Sequence, residues 1–199
     1  MIFPIITLLL GLPAAVLASS AVTDVAVATT NPILNILTNI TTTSKSLDEQ
    51  TRKPMDFDTD RQYKASVLYY IDYIQNLNRT KKNFPVLSPK LSTSEEEQTC
   101  AYFNKQFYLS QTNLPIALAS NCYTSGIKGS WCNYLVICLR TYGPILADVE
   151  AKVIDNLPSC AARLRSRVAT IKSFQKEAVE KIERGRYYRK IPFTVPEAK

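Results

Sequence analysis

Histidine is absent from all 199 residues. That gap removes several chemistries at once. Ser-His-Asp and Cys-His catalysis need imidazole to carry a proton, and His-ligated zinc or haem needs it as a ligand. A Cys-x-x-Cys pair, a P-loop and a Gly-x-Gly-x-x-Gly turn are missing too. Acidic residues are present but poorly placed for catalysis. Asp56, Asp58 and Asp60 alternate in a polar stretch, and Glu95, Glu96 and Glu97 crowd a helix start. Glycoside hydrolysis needs two acids facing across a cleft. The aspartates also lack the spaced glycine and terminal glutamate of an EF-hand. Both clusters read as solvated side chains or caps, so the sequence predicts no catalytic residue, no metal site and no cofactor.

Long apolar runs are equally scarce. One uncharged run covers residues 2–17, and Val16-Leu17-Ala18 precedes Ser19-Ser20. Residues 1–18 read as a secretory signal peptide, cut after Ala18 or a few residues later at Ala21. Pro4 and Pro13 interrupt a stretch already shorter than the roughly 20 residues of a spanning helix. Nothing later is long and apolar enough to cross a bilayer, so the expectation is a soluble protein, secreted and extracellular. An oxidising compartment turns the five cysteines, Cys100, Cys122, Cys132, Cys138 and Cys160, into disulfide candidates. It also makes Asn39-Ile40-Thr41 and Asn78-Arg79-Thr80 candidate glycosylation sites, at Asn39 and Asn78.

The remaining chain reads as all-α. Residues 19–58 form a variable N-terminal segment with one helix. Asn31-Pro32 starts it, because Asn caps and Pro suits the first helical position. Ile33, Leu34, Leu37, Ile40 and Leu47 fall near one face, and Asp48–Asp58 reads as a polar linker. A disulfide-containing helical domain follows over residues 59–185. Thr59 and Gln62 have capping-box spacing, and Tyr63, Val67, Tyr70, Ile71, Ile74 and Leu77 make an amphipathic stripe. Residues 81–90 form a loop. Ser94 caps a helix carrying Cys100, Phe103 and Phe107 on one face, and Asn113-Leu114-Pro115 interrupts it. Gly126 and Gly129, two of only five glycines, mark a turn. Gly143-Pro144 separates an apolar segment over Trp131–Thr141 from a helix over Pro144–Asn156. The last helix runs from Ser159 to Arg184 and is braced by Lys176–Glu180, Glu177–Lys181 and Glu180–Arg184 pairs. Residues 186–199 are a basic extended tail. The predicted fold class is a small disulfide-stapled helical bundle with a long basic C-terminal helix.

On one helix, Cys132 and Cys138 would have Cα atoms roughly 9 Å apart, beyond bridging range. Cys138 and Cys160 flank the predicted Pro144–Asn156 helix and are placed to tie its neighbours. Cys100 with Cys122 or Cys132 makes a second bond. The fifth thiol is either buried and free or the link of a disulfide-bonded homodimer. Cys138-Leu139-Arg140-Thr141-Tyr142-Gly143-Pro144-Ile145-Leu146, with Cys160 beyond it, resembles insect secreted proteins related to the tsetse EP protein. In that family a Cys, a Tyr-x-Pro-x-Leu-like stretch and a second Cys frame a helix. The resemblance implies an all-helical secreted protein with no assigned biochemical activity.

Charge is unevenly spread. Residues 1–160 hold 13 basic and 13 acidic side chains, while residues 161–199 hold 11 and 4, so the end of the chain carries the whole +7. Arg163, Arg165, Arg167, Lys172, Lys176, Arg184, Arg186, Arg189 and Lys190 make up the candidate basic surface. Clustered cations attract acidic partners, and export disfavours nucleic acid among them. The expected role is a non-catalytic interaction protein for an acidic extracellular surface or glycan. A carrier of small hydrophobic ligands is the alternative, with Tyr63, Tyr70, Phe103, Phe107 and Trp131 lining an apolar cavity. A third reading is a precursor cut at Arg189-Lys190.

Overall fold

The computed structural model describes residues 31–52, 60–124 and 130–184. The signal-peptide reading, the Gly126–Gly129 turn and the tail fall outside these residues. Within them the chain is all-α, as its periodicity predicts, with six α-helices and no strand. They are α1 (Pro32–Arg52), α2 (Asp60–Lys82), α3 (Thr93–Tyr102), α4 (Tyr108–Thr124), α5 (Ser130–Asp155) and α6 (Ala161–Arg184). A π-helical turn, Phe103–Phe107, joins α3 to α4 without a break, and a 3-10 turn, Pro158–Cys160, leads into α6.

Asn31 begins α1 as expected. Its Oδ1 accepts the backbone N–H groups of Ile33 and Leu34, each at 3.1 Å, two donors that a helix start leaves unpaired. Its Nδ2 donates to Thr99 Oγ1 at 2.8 Å, which fastens this end of α1 to α3. The apolar stripe from Ile33 to Leu47 is buried. The helix then continues to Arg52, where the sequence suggested a linker from Asp48. Two of its buried hydroxyl residues, Ser44 and Thr51, find partners inside the bundle. Thr51 Oγ1 donates to Leu47 O at 2.7 Å and receives the Tyr70 hydroxyl at 2.8 Å. Ser44 Oγ reaches Ser110 O on α4 at 3.2 Å.

The α3 cap is Ser92, two residues before the expected Ser94. Ser92 Oγ accepts from the N–H of Glu95, and Glu95 Oε2 accepts the Ser92 N–H at 2.9 Å. The reciprocal bonds of this box outweigh the mere nearness of Ser94 to the acidic run. Those bonds from Ser92 also hold the Glu95 carboxyl below its ordinary range. The π-turn keeps Phe103 and Phe107 both fully buried, with ring centroids 4.7 Å apart.

Neither predicted break is a break. α4 passes through Pro115, and α5 passes through Gly143-Pro144 as one helix of 26 residues. A proline removes one intrahelical bond. Here Leu114 and Leu118, and then Tyr142, Leu146, Val149 and Val153, are wholly buried on either side. Packing of the flanking turns overrides the local preference. Gly143 has its own reason to be small, since a Cβ there would lie 3.0 Å from Gln175 Oε1 on α6.

The rods close a ring in which α1 packs on α2 and α4, α6 on α4 and α5, and α5 on α2. Tyr70, Tyr73, Tyr142, Phe103 and Phe107 are the largest fully buried side chains inside it.

The two disulfides are Cys100–Cys160 and Cys122–Cys132, which corrects both expected pairings. The reason is the continuity of α5. From Cys138 to the end of α5 at Asp155 is about 25 Å of helix at 1.5 Å per residue, so Cys138 cannot reach the turn that holds Cys160. Cys160 instead meets Cys100 on α3, and Cys122–Cys132 closes the short α4–α5 connection. Cys132 and Cys138 share α5 and are not bonded, as their spacing predicts. The odd cysteine is Cys138, buried and free. Burial pushes its thiol up to about 12. A bond from Cys138 to a second chain would require α5 to leave the core.

Candidate functional site

Two places in this ring hold chemistry that folding alone does not account for: the outer face of α6 and the polar residues inside. On α6 the charges divide by position. Its second half neutralises itself through the three expected pairs. Lys176 lies 3.9 Å from Glu180, Lys181 3.0 Å from Glu177, and Arg184 2.7 Å from Glu180. Glu183 takes Arg140 of α5. The first half carries Arg163, Arg165, Arg167 and Lys172 with no acidic residue on the same stretch. Among the described residues none of these four stands within ion-pair distance of a carboxylate. Cations in the first turns of a helix also oppose its dipole, so this charge is not placed there to stabilise α6.

Each of these cations borders a groove or a ring. Arg163 shares a groove between α3 and α6 with Lys105, Asn104, Ser159 and Glu97, beside the Cys100–Cys160 bond. The Arg167 guanidinium sits 4.3 Å from the centre of the Tyr108 ring on α4, a cation–π contact that fixes its direction. Arg165 and Lys172 border a second groove, between α5 and α6, with Ala147, Ala151, Val168 and Ala169 along it and Asp155 as its one carboxylate. Arg163 and Arg167 belong to the expected basic surface, Arg184 is occupied by Glu180, and Arg186, Arg189 and Lys190 lie outside the described residues.

The interior holds a polar cluster that sequence reasoning missed. Glu150 on α5 is 1 % exposed, and its Oε1 has no hydrogen-bonding partner. The Tyr142 hydroxyl and Gln175 Nε2 are likewise buried and unpartnered, with Gln175 beside the phenol but outside hydrogen-bonding geometry. Tyr73 stacks edge-on against Tyr142 at 5.6 Å and donates to Gln111 Oε1 at 2.9 Å. Burial pushes the Glu150 carboxyl up to about 8, against the opposing pull of Lys172. Burial also raises the Tyr73 and Tyr142 phenols well above their ordinary range. At neutral pH the cluster is therefore mostly uncharged. One signal could have found it: Glu150 stands at an inward position among Leu146, Val149 and Val153.

Of the remaining expected residues, Asn39 is exposed on α1 and Asn78 half-buried on α2. Tyr70, Phe103 and Phe107 belong to the packed core and border neither groove. The side chains of Tyr63 and Trp131 lie outside the described residues. Among the described residues no three of Cys, Asp and Glu gather at a metal-binding spacing. No helix there is long and apolar enough to cross a membrane.

Comparison with known proteins adds no relative. No protein-family model matches the chain, no curated protein matches it, and no solved structure matches it.

Proposed function

We propose that this chain is an exported, non-catalytic interaction protein whose α6 meets an acidic extracellular partner. The observation that carries this reading is the asymmetry of α6. Four cations over residues 163–172 have no carboxylate within ion-pair distance among the described residues, while the following turns neutralise themselves. Cations left unpaired beside open grooves can be neutralised by a ligand at little desolvation cost. The two disulfides fit an oxidising compartment, and the exposed Asn39 can carry a glycan. Replacing Arg163, Arg165, Arg167 and Lys172 with alanine should shift elution from a sulfated-polysaccharide matrix to much lower salt. An Arg184, Arg186, Arg189 and Lys190 quadruple variant tests the tail in the same way. If the first variant elutes with the wild type, α6 is not the contact surface.

The second reading, a carrier of small hydrophobic ligands, rests on the α5–α6 groove. It has a volume of about 320 Å³ and an apolar floor of Ala147, Ala151, Ile154, Val168 and Ala169. That is the low end of small-molecule sites, which begin at about 300 Å³. An apolar fluorophore should bind saturably and lose its site when Ala151 and Ala169 become glutamine. Linear, non-displaceable fluorescence would remove the carrier role.

A further inference from the structure

The outward face of α4 has a composition that the acidic-partner reading does not by itself explain. Over the 17 residues Tyr108–Thr124 there is not one charged side chain. Leu109 and Ile116 lie two helical turns apart, so they share a face. They are 53 % and 42 % exposed, in a chain that buries nearly all its other large aliphatic side chains on this rod.

Cations surround the start of this face. Lys105 lies one turn before Leu109, in the groove it shares with Arg163. Arg167 is held over Tyr108, the residue next to Leu109. On the opposite flank Lys45 of α1 donates to Gln106 Oε1 at 3.1 Å. The one carboxylate in the Arg163 groove is Glu97. Four cations therefore border the start of an uncharged helix that exposes two aliphatic side chains.

We propose that this α4–α6 face docks on an anionic lipid surface. Leu109 and Ile116 enter the acyl boundary, while Lys45, Lys105, Arg163 and Arg167 lie against the headgroups. The proposal rests on the acidic-partner reading and names the partner. A polysaccharide would use the cations but gives the aliphatic pair nothing to enter. An interfacial surface uses both, because binding there grows with buried apolar area and with attraction to anionic headgroups.

The test uses the full exported chain and sedimentation with phosphatidylcholine vesicles, with and without phosphatidylserine. Binding is expected only to the phosphatidylserine vesicles, falling as salt is raised. K105A/R163A/R167A should weaken it by at least about tenfold, since each basic residue at the surface contributes roughly fivefold. L109S/I116S should weaken vesicle binding by on the order of tenfold and leave retention on a sulfated polysaccharide unchanged. Leu109, Ile116, Lys105 and Arg163 are exposed and Arg167 is half-buried, and an unchanged thermal unfolding curve shows that both variants are folded. Equal vesicle binding by L109S/I116S and wild type overturns the proposal. So does retention on the polysaccharide with no vesicle binding, an outcome that leaves the acidic-partner reading intact. Binding to neither surface overturns both.

Discussion

Replacing Glu150 with glutamine should make the stability of this protein nearly flat between about pH 5 and pH 8.5, and should raise it at the alkaline end. The wild type should instead weaken steadily over that range. In the fold Glu150 is buried near Tyr73 of α2, Tyr142 of α5 and Lys172 of α6, and its carboxyl is pushed up to about 8. In the unfolded chain it returns to an ordinary value near 4.5. Between those two values the native state holds a proton that the unfolded state has released. Stability is then fully present below the lower value and is lost as pH rises through the upper one. The pKa difference corresponds to roughly 3–5 kcal/mol over the whole window. That is a large share of the about 5–15 kcal/mol that holds a domain together.

The neighbouring groups do not reverse this sign. The two phenols are raised out of the range by burial and stay neutral. Lys172 is an exposed ammonium that favours the carboxylate, and burial still outweighs it. Glutamine keeps the volume and removes the titration. Urea midpoints measured at both ends of the window, for wild type and E150Q, decide the matter. A wild type whose midpoint does not fall with pH, or an E150Q variant that falls in parallel, would mean that Glu150 is solvated and ordinary.

The same residue shows what could be read from the sequence and what could not. The apolar spacing of Ile33 to Leu47, of Tyr70 to Leu77 and of Leu164 to Ile182 gave the helices and their inner faces, because a 3.6-residue period is a local property. The Asn31 cap and the charge pairs of α6 are local for the same reason. Errors arose where a tertiary contact outweighed a local signal. Pro115 and Gly143-Pro144 read as stops, yet the buried turns on either side carry the helix through. The expected Cys138–Cys160 bond fails as a consequence, since it depends on a helix break at Gly143-Pro144 where α5 is continuous. Glu150 was passed over because a single acid between apolar residues looks like a solvated position until the opposing helices are known. The basic character of the last helix was plain from composition. That its first half alone is unpaired depended on which glutamates its cations face.

Removing the Cys100–Cys160 bond should cost more than removing Cys122–Cys132, and the difference follows from chain topology. The first joins residues 60 apart in sequence and the second residues 10 apart. Loop-closure entropy grows with the logarithm of that separation, which gives about 4 kcal/mol against about 3 kcal/mol. The long bond also secures a junction where other contacts depend on it. Ser159 N–H donates to Glu96 Oε1 at 2.7 Å beside it, and Asn31 joins α1 to Thr99 one residue before Cys100. C100A/C160A should therefore lower the urea midpoint further than C122A/C132A, and loosen the α1, α3 and α6 starts first. Amide exchange should show earliest loss of protection over residues 93–102 and 158–164. An equal or larger loss from C122A/C132A would place the main constraint at the α4–α5 connection. The cations at the start of α6 make this junction matter for function as well. Arg163 lies three residues beyond Cys160, so the bond that orders the bundle end also sets where the basic face points.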